Sequence, residues 1–267
     1  MAEHAEEKDE QGKYPEVETF QVAKWLAEPT EQKIPHGEFA EEPFRPAMRA
    51  PVAVLTVLDD GSMDEGEQIR IRSDRFRIGR SEGDLVLRHD PTMSSKHAEI
   101  QRVDYRGQTR WLLNNTESVN GTFVRVNAAK LFEDSIVILG SRRFRLERPF
   151  AAAAKSTTVG TKRIDKLAPP EQVWPVLTES SGKSDSLRFP IRTISVSIGR
   201  TGSGCDIELD DPLVAARHAT LLRGPDGTWK IAPAKTRNGV WASLHTVPLT
   251  SCCFFQCGEQ RFKFVLP

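Results

Sequence analysis

The amino-acid sequence predicts an all-β protein made of two β-sandwiches in tandem. Three observations carry this expectation. From Val52 onward the apolar residues fall in short, β-branched runs that alternate with charged ones, the period of a half-buried strand rather than of a helix. Turn residues separate the runs, and 17 Pro with 18 Gly in 267 residues supply them in number. The order of runs and turns in the first half then recurs in the second half at matching spacings.

Residues 1–50 are rich in Glu, Lys, Gln and Pro and hold too few large apolar side chains to offset the entropy of ordering them, so a mobile, disordered arm is expected there. Within it Phe20, Val22, Ala23, Trp25 and Leu26 recur at near-helical spacing until Pro29, which fits a transient helix or a docking helix. The first sandwich is expected over 51–149. Val52 to Leu58 forms a strand that turns at Asp59-Asp60-Gly61, and Gln68 to Arg72 follows with Ile69 and Ile71 inward and Arg70 and Arg72 outward. Arg75 to Ile78, Asp84 to Leu87, His97 to Gln101, Arg110 to Leu113, Ile136 to Leu139 and Arg143 to Leu146 complete the set. Residues 150–172 read as a linker, flexible through Ser156-Thr157-Thr158 and stiffened at Pro169-Pro170.

A second copy is expected over 173–267. Trp111 precedes Asn120 by nine positions and Trp229 precedes Asn238 by nine. Asn120 to Leu131 and Asn238 to Leu249 are eleven apart, Leu131 to Gly140 and Leu249 to Gly258 nine, and Gly140 to Phe144 and Gly258 to Phe262 four. Register this tight is the mark of a duplicated unit.

Composition excludes several function classes. Lys+Arg 37 against Asp+Glu 37 leaves no net charge to recruit nucleic acid or an anionic membrane, and outward arginines on strands are the ordinary solvated face. No apolar run approaches the roughly 20 residues of a membrane helix, and the acidic N-terminus lacks a secretory profile, so a cytoplasmic protein without membrane or nucleic-acid partners is expected. Cys205, Cys252, Cys253 and Cys257 fit no zinc-ligand spacing, and the last three are expected to be small buried side chains. Kinase signatures, phosphate-binding Walker loops and metal-ligand clusters are missing, so neither enzyme activity nor a metal or cofactor is expected.

Three short motifs remain, in a fixed order. Ile78-Gly79-Arg80 closes a strand, Ser94-Ser95-Lys96-His97 follows a loop, and Asn120-Gly121-Thr122 follows another strand. A phosphate monoester needs a bidentate cation and hydroxyl or amide donors, and Arg80, Ser94 and Ser95 supply them; Asn120 carries a donor and an acceptor for the backbone of an extended peptide. The order of motifs resembles the forkhead-associated (FHA) domain, which recognises phosphothreonine. The resemblance implies that Arg80 and Ser94 hold the phosphate, that Ser95 assists, and that Asn120 holds peptide backbone. It further implies that Gly79, His97 and Gly121 shape the loops.

Departures accompany the matches. Val119 stands where the family often has Thr or Ser before the Asn-Gly pair. In the second copy Ile198-Gly199-Arg200 and Arg217-His218-Ala219 keep the pattern, but Ala215 replaces Ser94 and Val240 replaces Thr122. Trp241 adds a large apolar side chain beside the second Asn-Gly turn, which fits either a protein contact there or a place in the core. Arg200 and Asn238 would form a residual second site. The function implied is a non-catalytic adaptor that captures a phosphothreonine-bearing partner, a Ser/Thr kinase or its substrate. The alternative is a phosphate-independent scaffold that uses both sandwiches as interaction modules.

Overall fold

A computed structural model of the chain describes residues 52–106, 108–116, 118–147, 174–180 and 186–266. The expected arm at 1–50, its helical stretch and the linker at 150–172 lie outside the described residues. Every regular element among those described is a strand. The first half carries β1 (Ala53–Leu58), β2 (Gly66–Ile71), β3 (Arg75–Gly79), β4 (Leu85–Val86), β5 (Ala98–Tyr105), β6 (Gln108–Asn115), β7 (Thr122–Val126), β8 (Ala129–Leu131), β9 (Ile136–Leu139) and β10 (Arg142–Glu147). The second half carries β11 (Val176–Glu179), β12 (Arg188–Pro190), β13 (Ser195–Arg200), β14 (Ile207–Leu209), β15 (Ala219–Arg223), β16 (Trp229–Pro233), β17 (Val240–Ser243), β18 (Thr246–Leu249), β19 (Cys252–Cys257) and β20 (Gln260–Val265). Alternation holds as the sequence predicts: in β2 Ile71 is buried and Ile69 half-buried while Arg70 is exposed.

Pairing crosses between the halves. One five-stranded sheet runs β4-β3-β5-β6-β18 and another β14-β13-β15-β16-β8, and a single ten-stranded sheet runs β12-β11-β10-β9-β17-β7-β19-β20-β1-β2. The last three strands of each copy therefore complete the other copy. The first sandwich consists of β1–β7 with β18–β20, and the second of β8–β17. Sequence repeats bounded at 51–149 and 173–267 and hydrogen-bonded sandwiches are consequently different sets of residues.

Equivalent positions in the two copies make this exchange possible. Leu249 lies against Trp111 on β6, and Leu131 lies against Trp229 on β16, so each tryptophan meets the equivalent leucine of the other copy. The Trp111 and Phe264 rings sit 5.8 Å apart in the first core, and Phe255 stacks on Phe262 at 4.8 Å. Two features favour exchange over self-closure. Only Asn127 and Ala128 separate β7 from β8, and only Leu244 and His245 separate β17 from β18. Fully extended, such a connection advances the chain by about 10 Å, the spacing between packed sheets, and a short hinge that runs straight on to a facing sheet favours exchange between equivalent units. Exchange also brings β7 beside β17, where Phe123 pairs with Ser243 and Val126 with Val240. Phe123, Ile138 and Trp241 bury one another on that central seam.

Each exchanged hairpin is pinned at its tip. Asp90 Oδ2 accepts the Glu259 amide at 2.8 Å, and Asp211 Oδ2 accepts both the amide and the hydroxyl of Ser141 at 2.7 and 2.6 Å. The residue before each tip is a left-handed glycine: a Cβ on Gly258 (φ 62°) would lie 2.4 Å from the Asp90 carboxylate, and one on Gly140 (φ 67°) 2.5 Å from that of Asp211. These paired carboxylates tie the loop after β4 or β14 to a hairpin of the opposite copy.

Candidate functional site

The three motifs of the first copy meet at one end of the first sandwich. At the end of β3 a Cβ on Gly79 would lie 2.0 Å from the carbonyl oxygen of Ser95, an approach only glycine permits. That closeness lets the Arg80 amide donate to the Ser94 carbonyl at 2.9 Å, so the Arg80 loop and the Ser94 loop share a backbone bond. The Arg80 side chain is exposed, and among the described residues its guanidinium has no ion-pair or hydrogen-bond partner. Neighbouring charges are spoken for: Lys96 pairs with Glu82 at 3.2 Å and Arg77 with Glu99 at 3.1 Å.

His97 is fully buried under the loop. Burial pushes its pKa down and keeps the ring neutral. Its Nδ1 accepts the Ser94 amide at 3.0 Å, which makes Nε2–H the donor to the Gly121 carbonyl at 3.1 Å. The imidazole thus braces the Ser94 loop against the Asn120-Gly121 turn. Ser94 Oγ in turn accepts the Val119 amide at 3.1 Å, leaving its own hydroxyl hydrogen available to a ligand. Ser95 is exposed beside it.

Asn120 is held from two sides. Its Nδ2 donates to the Thr92 carbonyl at 2.7 Å, and its own carbonyl accepts from Arg143 at 3.2 Å. Thr92 is fixed by Asp90, whose Oδ1 accepts its amide at 2.8 Å and its hydroxyl at 2.6 Å. Because Asp90 also holds Glu259, the Asn120 side chain is connected through Thr92 and Asp90 to a hairpin of the second copy. Val119, which replaces a hydroxyl residue common in the family, is 90% exposed beside the site. These bonds bring the loops that carry Arg80, Ser94, Ser95 and Asn120 to one end of the sandwich, with Arg80 and Ser95 exposed.

The second copy repeats the brace, keeps an exposed Arg200 and lacks the hydroxyl donors. A Cβ on Gly199 would lie 2.0 Å from the Ala216 carbonyl oxygen. His218 accepts the Ala215 amide at 3.1 Å and bonds the Gly239 carbonyl at 2.9 Å, and Asn238 Nδ2 donates to the Leu213 carbonyl at 2.9 Å. Ala215 has no hydroxyl to offer. The loop after Arg200 holds a carboxylate of its own: Glu208 accepts the amides of Gly202 at 2.9 Å and Gly204 at 2.7 Å. Those two amide bonds hold its carboxyl below the usual range, so a negative charge sits among donors that an incoming anion would need. Glu208 takes the ladder position of Val86, since Gly199 pairs with Glu208 as Gly79 does with Val86.

Trp241 takes the core place of the two that the sequence left open. It is 1% exposed, its Nε1–H donates to the Asn238 carbonyl at 2.8 Å, and Arg261 covers its ring at 4.7 Å. The indole is part of the seam between the copies rather than an exposed contact surface. Asp90, Arg143 and Glu208 were not singled out by sequence reasoning. A signal for Asp90 was present, since Asp90 and Asp211 are offset by the same 121 positions as His97 and His218. Arg143 carried none, because its contact with Asn120 depends on the exchanged pairing.

Cys253 and Cys257 are buried and Cys252 half-buried, and burial raises all three thiols. Among the described residues no three His, Cys, Asp or Glu side chains gather as a metal site, and no helix is long and apolar enough to cross a membrane.

Comparison with known proteins agrees with the motifs. The family model described as the FHA domain matches twice, at residues 76–140 and 196–251. Among solved structures the chain is similar to full-length yeast Pml1p, at 18% identity and a TM-score of 0.27, covering 34% of this chain and 74% of that one. It is also similar to Mycobacterium tuberculosis EmbR in complex with a low-affinity phosphopeptide, at 22% identity and a TM-score of 0.23, covering 36% of this chain and 24% of that one. The FHA domain of the Chlamydia trachomatis CT664 protein matches at 22% identity and a TM-score of 0.20, covering 34% of this chain and 91% of that one. No curated protein matches the chain. The chain carries two FHA domains, each all-β, and the FHA domain is a phosphopeptide-binding module that is generally non-catalytic.

Proposed function

We propose that the chain is a non-catalytic adaptor whose first copy captures a phosphothreonine-bearing protein in Ser/Thr kinase signalling. The observation that carries this reading is an exposed Arg80, its guanidinium without a partner among the described residues, whose backbone is bonded to that of Ser94. A planar fork and a hydroxyl at one open edge suit a phosphate that carries nearly two negative charges. Asn120 is assigned the peptide backbone, Ser95 a supporting phosphate contact, and Gly79, His97 and Gly121 the loop geometry. The second copy is assigned no phosphate, because Ala215 lacks the donor and Glu208 fills its loop. Loss of a single hydrogen bond to a charged group is worth roughly 1.5–3 kcal/mol, about ten- to a hundredfold in affinity.

Calorimetry of the full chain with phosphothreonine peptides drawn from a library is the test. Arg80→Ala should abolish binding with unchanged melting, since the side chain is exposed in the free protein. Arg200→Ala should leave binding as it was. Equal affinity for dephosphorylated peptide would favour the phosphate-independent scaffold, and retained binding by folded Arg80→Ala protein would refute the site.

A further inference from the structure

Asn120 and Asn238 line the same cleft, of about 640 Å³, which runs across the central seam where the two copies join. Ile138, Gln256, Arg143 and Arg261 also line it. Both asparagines use Nδ2 in the same way, donating to a carbonyl two residues before the Ser94 or Ala215 position. Among the described residues neither Oδ1 has a partner, so each retains an acceptor for a peptide N–H. The second copy has thus lost the two hydroxyls suited to phosphate and kept the arginine, the asparagine and its brace: His218 still joins Ala215 to Gly239.

Resting on the phosphothreonine reading of the first site, we infer that the second copy holds a distal, unphosphorylated stretch of the same ligand. The chain then has one composite peptide site instead of one working and one defunct site. The phosphothreonine sits at Arg80 and Ser94, the extended backbone passes Asn120, and the flanking segment crosses the cleft to Asn238 and Arg237. Asn120 precedes β7 and Asn238 precedes β17, and these strands run antiparallel, so the two asparagines lie toward opposite ends of the seam. A ligand must therefore extend beyond the residues next to the phosphothreonine to reach the second asparagine. Arg237 is exposed, and its guanidinium makes one long bond, 3.4 Å to the Gly61 carbonyl, across the cleft wall. It can exchange that bond for a carbonyl or carboxylate of the peptide at little cost. Strand exchange makes the arrangement possible, since it fuses the copies along β7 and β17 and fixes the distance between the two asparagines.

The experiment compares three phosphothreonine peptides on the full chain by fluorescence anisotropy. One is a short core of about seven residues, and the others add about ten residues on its N-terminal or C-terminal side. One extended peptide should bind about tenfold or more tightly than the core, because linking adds contacts at little further entropic cost. Arg237→Ala and Asn238→Ala should each remove most of that gain and leave the core peptide's affinity unchanged. Arg80→Ala should abolish binding of all three. Asn238→Ala also removes the bond to Leu213, so Arg237→Ala, an exposed change, decides the matter if the former is unstable. Extension on neither side improving affinity, or Arg237→Ala weakening core and extended peptides alike, overturns the composite site while leaving the first site standing. Absence of phosphate-dependent binding by any peptide overturns both.

Discussion

Phe264→Ala offers the sharpest test of the exchanged architecture. Phe264 belongs to the second sequence copy but is fully buried in the first sandwich, between Leu55 on β1 and Cys253 on β19, with its ring against Trp111. Truncating a buried Phe costs about 3–5 kcal/mol through lost transfer energy and the cavity left behind. Opening of the first sandwich should therefore become about a thousandfold more frequent. Native-state amide exchange reads this strand by strand. Protection should fall in β1, β5 and β6, which share the Phe264 core, while β13 and β15 keep theirs. Leu146→Ala, at the equivalent position of the first copy, should do the converse, because Leu146 pairs with Leu177 of β11. Were Phe264→Ala to expose β13 and β15 while sparing β1 and β5, each copy would close on itself and the exchange would be wrong.

Three other outcomes follow from the same contacts. A protease site inserted between Phe150 and Gln172 should, once cut, leave the two pieces co-eluting on size exclusion under native conditions; separation into independent halves would contradict the exchange. Asp90→Ala should lower stability by about 2–4 kcal/mol, since it removes bonds to Glu259 and Thr92, and should also weaken phosphopeptide binding by freeing Asn120; an affinity unchanged in folded protein would break the link to Asn120. Burial holds His97 and His218 below the ordinary value of 6.5, so the unfolded chain takes up protons first on acidification. Their contribution is constant above about pH 6.5 and declines as pH falls from there toward the depressed folded values. Asp90 and Asp211 are held below 3.8 and do not titrate in that window. Urea midpoints should be lower at about pH 5.5 than at about pH 7.5, and a His97→Asn/His218→Asn variant should lose most of that difference; an equal slope in the variant would point to other groups.

The sequence by itself determined the all-β class, the duplication and the positions of most first-copy strands, though not of β7 and β8 at the crossover, because period-two burial and turn chemistry are local properties of neighbouring residues. It also determined which residues of the first copy meet. Gly79, Arg80, Ser94, His97 and Asn120 lie at strand ends whose order follows from the chain, and the structure joins them through short bonds. Which copy each final hairpin completes was decided only by the tertiary structure. Leu131 and Leu249, Phe144 and Phe262, and Gly140 and Gly258 are interchangeable at the level of pattern, so either pairing satisfies the hydrophobic period. The two-residue connections after β7 and β17, and the β7–β17 ladder that only exchange creates, select between them. The burial of Trp241, the reach of Arg143 to Asn120 and the hold of Asp90 on Glu259 are consequences of that selection. They join residues far apart in the chain, and no periodicity records a contact of that kind.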